Sequence, residues 1–520
     1  MKSVLVILVF LAGFSGATAV SSFREAADLV YDRILDNDIT GKAVSVLDKP
    51  VSQGMVIDSW HDEVTAPFDG YLVLVDDMVY ANWAHPCRWV FVSSGGNMET
   101  VKMMTPPDDL EHMEVVHTCI PDHVDDSGNG QYENFLEWFK PNVQSTSERA
   151  AHMYALIISG GYNKSNNHIR YYGDVQFIYN VLAHDYLLPD DHIVVCFADG
   201  TNSAPDQSGG LNSNPDLDND GDNDIIYDAT SAGVEKGFSA IDSMIGADDH
   251  LFIFTTDHGD EGKPGNQAPE VILNLWNKQS YDDDKYKTKL SDMTYASCHA
   301  AMEQCFSGGF LLEHIGGTSS SPSTFASAAN GTESSWAGKT YPEYNEFIYY
   351  WTGAMHGSVP PAGDLSGGDL PGNPDLNGDN CVSFFEAFDR AKAWDTYAQS
   401  GKEHPQWDDD PDSCGEQYYL GGKISTAIED DSHQPVTGDL NLSGNPLGLM
   451  ATVNFTMGAT GNVDITVYDM YGRVVETLLH EELSPGRHSI KWNAGGLASG
   501  VYIIRFETAD LVETLRAVKF

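Results

Sequence analysis

Two short segments carry the residue types of nucleophilic catalysis. Phe254-Thr255-Thr256-Asp257-His258-Gly259-Asp260 closes one apolar run with a histidine. Ala301-Met302-Glu303-Gln304-Cys305-Phe306-Ser307-Gly308-Gly309 closes another with a cysteine. A histidine can hold a nearby thiol close to its thiolate form, and the thiolate is the nucleophile. The glycine after His258 leaves its backbone N–H approachable, and with the Cys305 N–H it can cradle a developing oxyanion. Cys298 sits seven residues earlier, inside its apolar run, and reads as core; Cys196 reads the same way. The chain has no H-E-x-x-H and no G-x-S-x-G, which argues against a zincin or a lipase-type serine hydrolase.

These residues act together only if the fold brings them to one place. Residues 153–161, 192–197, 250–255 and 295–302 are continuous apolar runs, the pattern of strands buried on both faces. Between them, 174–184 and 231–245 read as helices, the first amphipathic. Strands alternating with helices predict a largely parallel sheet with helices on both faces. In such sheets reactive groups collect beyond the carboxyl ends of the strands, where His258 and Cys305 both lie.

A second chemistry is suggested by acidic loops. Asp375, Asn377, Asp379, Cys381, Ser383 and Glu386 occupy positions 1, 3, 5, 7, 9 and 12 of an EF-hand-like loop, with Cys381 offering its carbonyl and Asn380 standing where glycine is usual. Asp216, Asp218, Asp220, Asp222 and Asp224 form a D-x-D-x-D-G-type cluster with Tyr227 at position 12, so Asp228 is the expected closing ligand. Both predict structural Ca2+; no organic cofactor is expected. Lys and Arg number 28 against 77 Asp and Glu, a formal net charge of −49. That excess suits calcium and disfavours nucleic acid or anionic lipid as partners.

Lys2, the apolar run 4–14 and Ala17-Thr18-Ala19 read as a signal peptide over residues 1–19. No other long apolar segment is present, so no transmembrane segment is expected. The seven cysteines, at 87, 119, 196, 298, 305, 381 and 414, leave at least one thiol unpaired. Pairing of Cys87 with Cys119 is open. Residues 20–147 read as a small α+β domain, a possible pro-domain, with Asp122–Gly130 as a polar linker in which a nick would be easy. Residues 148–358 hold the catalytic pattern, 359–435 a Gly/Asp-rich extension with the EF-hand-like loop, and 436–520 short alternating strands of a β-sandwich.

Four blocks in order resemble the caspase–legumain clan of cysteine peptidases, and within it the legumain (asparaginyl endopeptidase) family. They are Arg170-Tyr171-Tyr172-Gly173-Asp174-Val175, Phe254-Thr255-Thr256-Asp257-His258-Gly259, Met302-Glu303-Gln304-Cys305 and Ala328-Ala329-Asn330-Gly331-Thr332-Glu333-Ser334-Ser335-Trp336. The resemblance spans about residues 150–358 and implies a caspase-like α/β fold. It implies a Cys305 nucleophile, a His258 general base, an oxyanion-hole N–H from Gly259 and an acidic neighbour in Asp257. It also implies a substrate pocket of Arg170, Glu303, Ser334 and Ser335, in which Arg170 donates to an Asn side-chain oxygen and Glu303 accepts from its NH₂. His168 departs from the family's Asn, and Asn345 stands where a further acidic pocket residue is expected.

At the C-terminus, Tyr468-Asp469-Met470-Tyr471-Gly472-Arg473, Leu497-Ala498-Ser499-Gly500-Val501-Tyr502 and Arg516-Ala517-Val518-Lys519-Phe520 resemble the Ig-like sorting domains of type IX secretion substrates. FlgD-type modules and plain sandwiches are similar at this level. The expectation is a secreted or surface cysteine endopeptidase cutting after Asn or Asp, with peptide substrates and the secretion machinery as partners. The alternative is a caspase-like binding protein or adhesin whose dyad is spent.

Overall fold

The computed structural model describes residues 19–59, 63–81, 85–108, 112–119, 135–262, 271–318, 321–338, 343–361, 368–379 and 381–424 of a first unit. Of a second unit it describes 438–443, 450–457, 461–469, 473–483, 486–498, 500–508 and 511–519. The signal-peptide run 4–14 and the linker 122–130 lie outside these residues.

The first unit opens with helix α1 (Phe23–Leu35), N-capped by Ser22, whose hydroxyl accepts the Glu25 N–H. Its apolar stripe packs on a five-stranded antiparallel sheet of β1 (Ala43–Leu47), β2 (Gly70–Asp76), β3 (Cys87–Ser93), β4 (Met98–Met103) and β5 (Met113–Thr118), in the order β4-β3-β2-β1-β5. Cys87 is buried there and its thiol donates to the Thr105 carbonyl; none of the seven cysteines forms a disulfide.

The larger sheet has seven strands: β6 (Met153–Ser159), β7 (Ile193–Phe197), β8 (Ile225–Tyr227), β9 (His250–Thr255), β10 (Ser297–Met302), β11 (Ser323–Ser327) and β12 (Gln406–Asp410). The order is β8-β7-β6-β9-β10-β11-β12, and every pairing is parallel except the last. Alternate residues of β6 enter two separate cores. Met153, Ala155 and Ile157 meet helices α2 (Ile169–Asn180), α3 (Glu346–His356) and α4 (Phe384–Trp394). Tyr154, Leu156 and Ile158 meet helix α5 (Ser231–Asp242) and helix α6 (Asp283–Asp292) on the other face. Each fully buried side chain of this kind contributes roughly 1.5–3 kcal/mol, so both faces are needed to hold the sheet.

Three expectations change. Helix α2 starts earlier than the expected 174 and is buried on every side, not amphipathic. Its polar residues are satisfied internally: Gln176 and Asn180 both donate to the Leu217 carbonyl, and Tyr172 to that of Asn214. The 359–435 segment does not stand apart, since β12 completes the sheet and Phe384 of α4 stacks on Phe252 of β9. Phe135 and Phe139, inside the expected N-terminal domain, join the core around α2.

The second unit is two antiparallel sheets. One holds Gly438–Ser443, Met450–Met457 and Gly486–Asn493; the other holds Gly461–Asp469, Val474–Leu483, Gly500–Glu507 and Val512–Lys519. Val453, Phe455, Ile465, Val467, Trp492, Ile504 and Phe506 form its core. Met470 to Gly472 of the motif lie outside the described residues.

Candidate active site

β9 and β10 are parallel neighbours in register, with Thr255 opposite Met302. His258 and Cys305 each lie three residues past that pair, so the register delivers both to the same end of the sheet. Gly259 is required by close approach: a Cβ there would lie 2.0 Å from the Cys305 carbonyl oxygen. The Asn274 N–H donates to the His258 carbonyl, and Gly259 pairs with Leu273. Gly259 is thus in a non-hydrogen-bonded pair and its N–H points away from that ladder. Cys305 is fully buried, with the Ser335 hydroxyl 3.9 Å from its sulfur.

The His258 ring is held on both nitrogens. Nε2 lies 2.8 Å from the Asn166 carbonyl, an acceptor only, so Nε2 carries the proton. The Tyr171 hydroxyl lies 3.0 Å from Nδ1, and Arg170 donates to that hydroxyl at 3.2 Å. Burial, reinforced by the Arg170 charge, holds the imidazole well below its usual range, so the ring is neutral. Asp257 accepts the backbone N–H groups of Gly160, Gly161 and His258, tying the ends of β6 and β9 together.

The pocket residues converge beside the dyad. Arg170 and Asp174 share a face of α2 at a spacing of four residues. Asp174 accepts from Thr256 at 2.6 Å and from the Asn345 amide at 2.7 Å. Burial is the largest influence on Asp174 and pushes it up to about 7. Glu303 is buried, accepts the Ile348 N–H at 3.0 Å, and is pushed well above the carboxylate range by burial and by its neighbours Asp174 and Asp395. Ser335 is buried and Ser334 half-buried. His168 is half-buried, 5.5 Å from the His258 ring. Tyr171, Asp174, Thr256 and Asn166 were not singled out as site residues from sequence. The four-residue spacing could have found Asp174; a backbone carbonyl such as that of Asn166 leaves no sequence signal.

A stability prediction follows from Asp174 and from Asp257, which burial pushes up to about 8 against three N–H donors. Both folded values lie above the unfolded one. Between about pH 4 and pH 8 the folded chain therefore keeps protons that the unfolded chain has released, and stability falls as pH rises. Melting temperature is expected to decline across this window, with a shallower slope below pH 7 in Asp174→Asn. A flat or rising profile would contradict the assignment.

Of the acidic loops, Asp216, Asp218 and Asp224 bring one carboxylate oxygen each within 4.8 Å of one another. Asp220 and Asp222 stay outside this group. Asp228, expected to close the loop, instead accepts from the Thr230 N–H ahead of α5. In the 375–386 loop, Asp375, Asn377 and Asp379 accept the N–H groups of Gly378, Asp379 and Cys381. Ser383 N-caps α4 and Glu386 completes a capping box. The other Glu386 oxygen takes the Leu376 and Asn377 N–H groups, so its carboxylate faces backbone donors. Burial pushes the Cys381 thiol up to about 11. Asn380 lies outside the described residues.

Residues 153–353 match the Peptidase C13 family, and residues 444–519 match the secretion system C-terminal sorting domain. No curated protein matches the chain in sequence. Protein GSU0716 from Geobacter sulfurreducens is similar at 9% identity with a TM-score of 0.27, covering 49% of this chain and 92% of its own. The endo-beta-1,4-mannanase from Thermotoga petrophila is similar at 11% identity with a TM-score of 0.17, covering 75% and 94%. Among the described residues no helix is long and apolar enough to cross a membrane.

Proposed function

From a chain with a Peptidase C13 segment and a C-terminal sorting domain that marks it for export, we infer an exported cysteine endopeptidase that cuts after Asn, and less readily after Asp. The observation that carries this reading is the delivery of Cys305 and a neutral His258 to one sheet end beside the Arg170 pocket. With the Nε2 proton given to Asn166, Nδ1 is the basic nitrogen, and it takes the Cys305 proton once the Tyr171 hydroxyl that donates to it gives way. The thiolate attacks the substrate carbonyl, the Gly259 N–H stabilises the oxyanion, and the imidazolium protonates the leaving amine. Water then releases the acyl group with His258 again as base.

The pocket charges favour an amide. Glu303 is held neutral, leaving Arg170 as the permanent charge, which repels Lys and Arg side chains. Arg170 donates to the Asn oxygen, and the Glu303 carbonyl oxygen accepts from its NH₂. Ser335 lines the side towards Cys305. A peptidyl electrophile ending in Asn should form an adduct on Cys305, located by peptide mass mapping; an adduct formed equally by a Lys-terminated probe would reject the pocket.

We also assign structural Ca2+ to Asp216, Asp218 and Asp224, since three carboxylates this close repel one another without a cation. A ligand that binds only the folded state stabilises by roughly 2.7 kcal/mol at a hundred times its Kd. Chelator is expected to lower the melting temperature and calcium to restore it, with Asp216→Asn blunting both effects. Indifference to chelator, with no metal found by elemental analysis, would remove the assignment.

A further inference from the structure

His258 and Cys305 are both buried, 1% and 0% exposed. A peptide cannot reach a nucleophile in that state, so part of the chain must cover it. Ser335 touches the sulfur, and the chain then runs on as Trp336 and Ala337. That stretch is the rail nearest the nucleophile along which an extended peptide could pair.

The rail is taken by the chain itself. Ala81 forms an isolated antiparallel bridge with Trp336, and the Ala337 N–H donates to the Tyr80 carbonyl at 2.6 Å. Ala81 is 5% exposed, packed with Trp336 and Tyr397, while Met78 and Tyr80 lie against the same cluster. Trp336 and Tyr397 stack at 4.6 Å, and Lys402 stands 5.2 Å from the Trp336 ring. A second contact ties the same domain down, Lys278 to Asp108 at 3.3 Å. His85, from the same N-terminal loop, is close enough to His258 to oppose its protonation.

We propose that Tyr80–Ala81 of the N-terminal domain lies on the substrate-binding edge as an internal pseudosubstrate strand, pairing with Trp336–Ala337 as a peptide substrate would and keeping the site latent. This rests on the peptidase reading and adds to it. Main-chain pairing to an exposed edge is how extended peptides gain affinity, with side-chain pockets supplying selectivity. Antiparallel pairing fixes the direction: moving forward from Ala81 is moving back from Trp336 towards Ser335 and Cys305. The same geometry describes the substrate, an extended peptide with a small residue facing the Trp336 ring. In sequence the residue after Ala81 is Asn82, outside the described residues, and its type is the one the proposed pocket selects.

The test uses the full chain and Ala81→Arg, which cannot fit against Trp336 and is repelled by Lys402. Two rates are read by mass spectrometry: hydrogen exchange at the Ala337 amide, and alkylation of Cys305 by iodoacetamide. The proposal expects both to rise in the variant, alkylation at least tenfold, with exchange elsewhere in the large sheet unchanged. A deprotected Ala337 amide with unchanged alkylation overturns it, because the strand then leaves without uncovering the site. An Ala337 amide equally protected in both proteins also overturns it. If Ala81→Arg does not fold, Met78→Asp loosens the same segment and is read in the same way. Faster alkylation without any gain in peptide cleavage or peptidyl-probe labelling upholds Tyr80–Ala81 as the cover and rejects the peptidase reading instead.

Discussion

Cys305→Ala is expected to abolish peptide hydrolysis, by at least about a thousandfold in kcat/KM, while Cys298→Ala should leave the chemistry largely intact. A nucleophile that forms the acyl intermediate has no substitute among its neighbours, and removing one member of such a unit costs nearly the effect of removing all. Cys298 has no route to the same role. It lies within β10, and burial pushes its thiol up, away from the thiolate. Its loss removes one small buried group, a cost of about 1 kcal/mol in stability. Initial rates on an Asn-containing peptide, measured on protein freed of its latency and matched for folded content by melting curve, check both variants. Equal losses from the two would show that the thiol has been misassigned.

The second large effect is expected at Arg170. Its guanidinium is the pocket's permanent charge and also steadies the Tyr171 hydroxyl against His258. Arg170→Ala should lower kcat/KM for Asn substrates by on the order of 10²–10³-fold, since a site built around a charge-assisted hydrogen bond loses heavily without it. Arg170→Lys keeps the charge but not the forked geometry and should recover only part of the loss. Profiling both with peptides that vary Asn, Asp, Lys and Arg before the cut bond separates pocket from scaffold. If the alanine variant keeps the order of preference, the pocket lies elsewhere.

The parallel part of the large sheet was legible because strands buried on both faces leave uninterrupted apolar runs, as in Met153–Ser159 and His250–Thr255. The placement of His258 and Cys305 at neighbouring strand ends was legible because each follows an apolar run and is followed closely by glycine. Helix α2 was misread because its neighbours, the Leu217 loop and α3, bury it from sides that its own sequence does not announce. The place of β12 was hidden for a related reason. Gln406-Trp407-Asp408-Asp409-Asp410 has the composition of a turn, and only its pairing with Ser323–Ser327 makes it a strand. The upward push on the Glu303 carboxyl was hidden as well, since burial beside Asp174 and Asp395 is a property of the assembled interior.

The acidic β12 has a bearing on solubility. A sheet ending at β11 would present Phe325 and its neighbours as an unprotected border, the kind of border on which another copy can add a strand. β12 runs antiparallel along it, and Asp408, Asp409 and Asp410 then line the outer rim, with Pro411 next in the chain. Like charges and a proline make that rim a poor template for further growth. The segment 153–353 therefore lacks its own guard against self-association, and the chain supplies that guard some fifty residues beyond it.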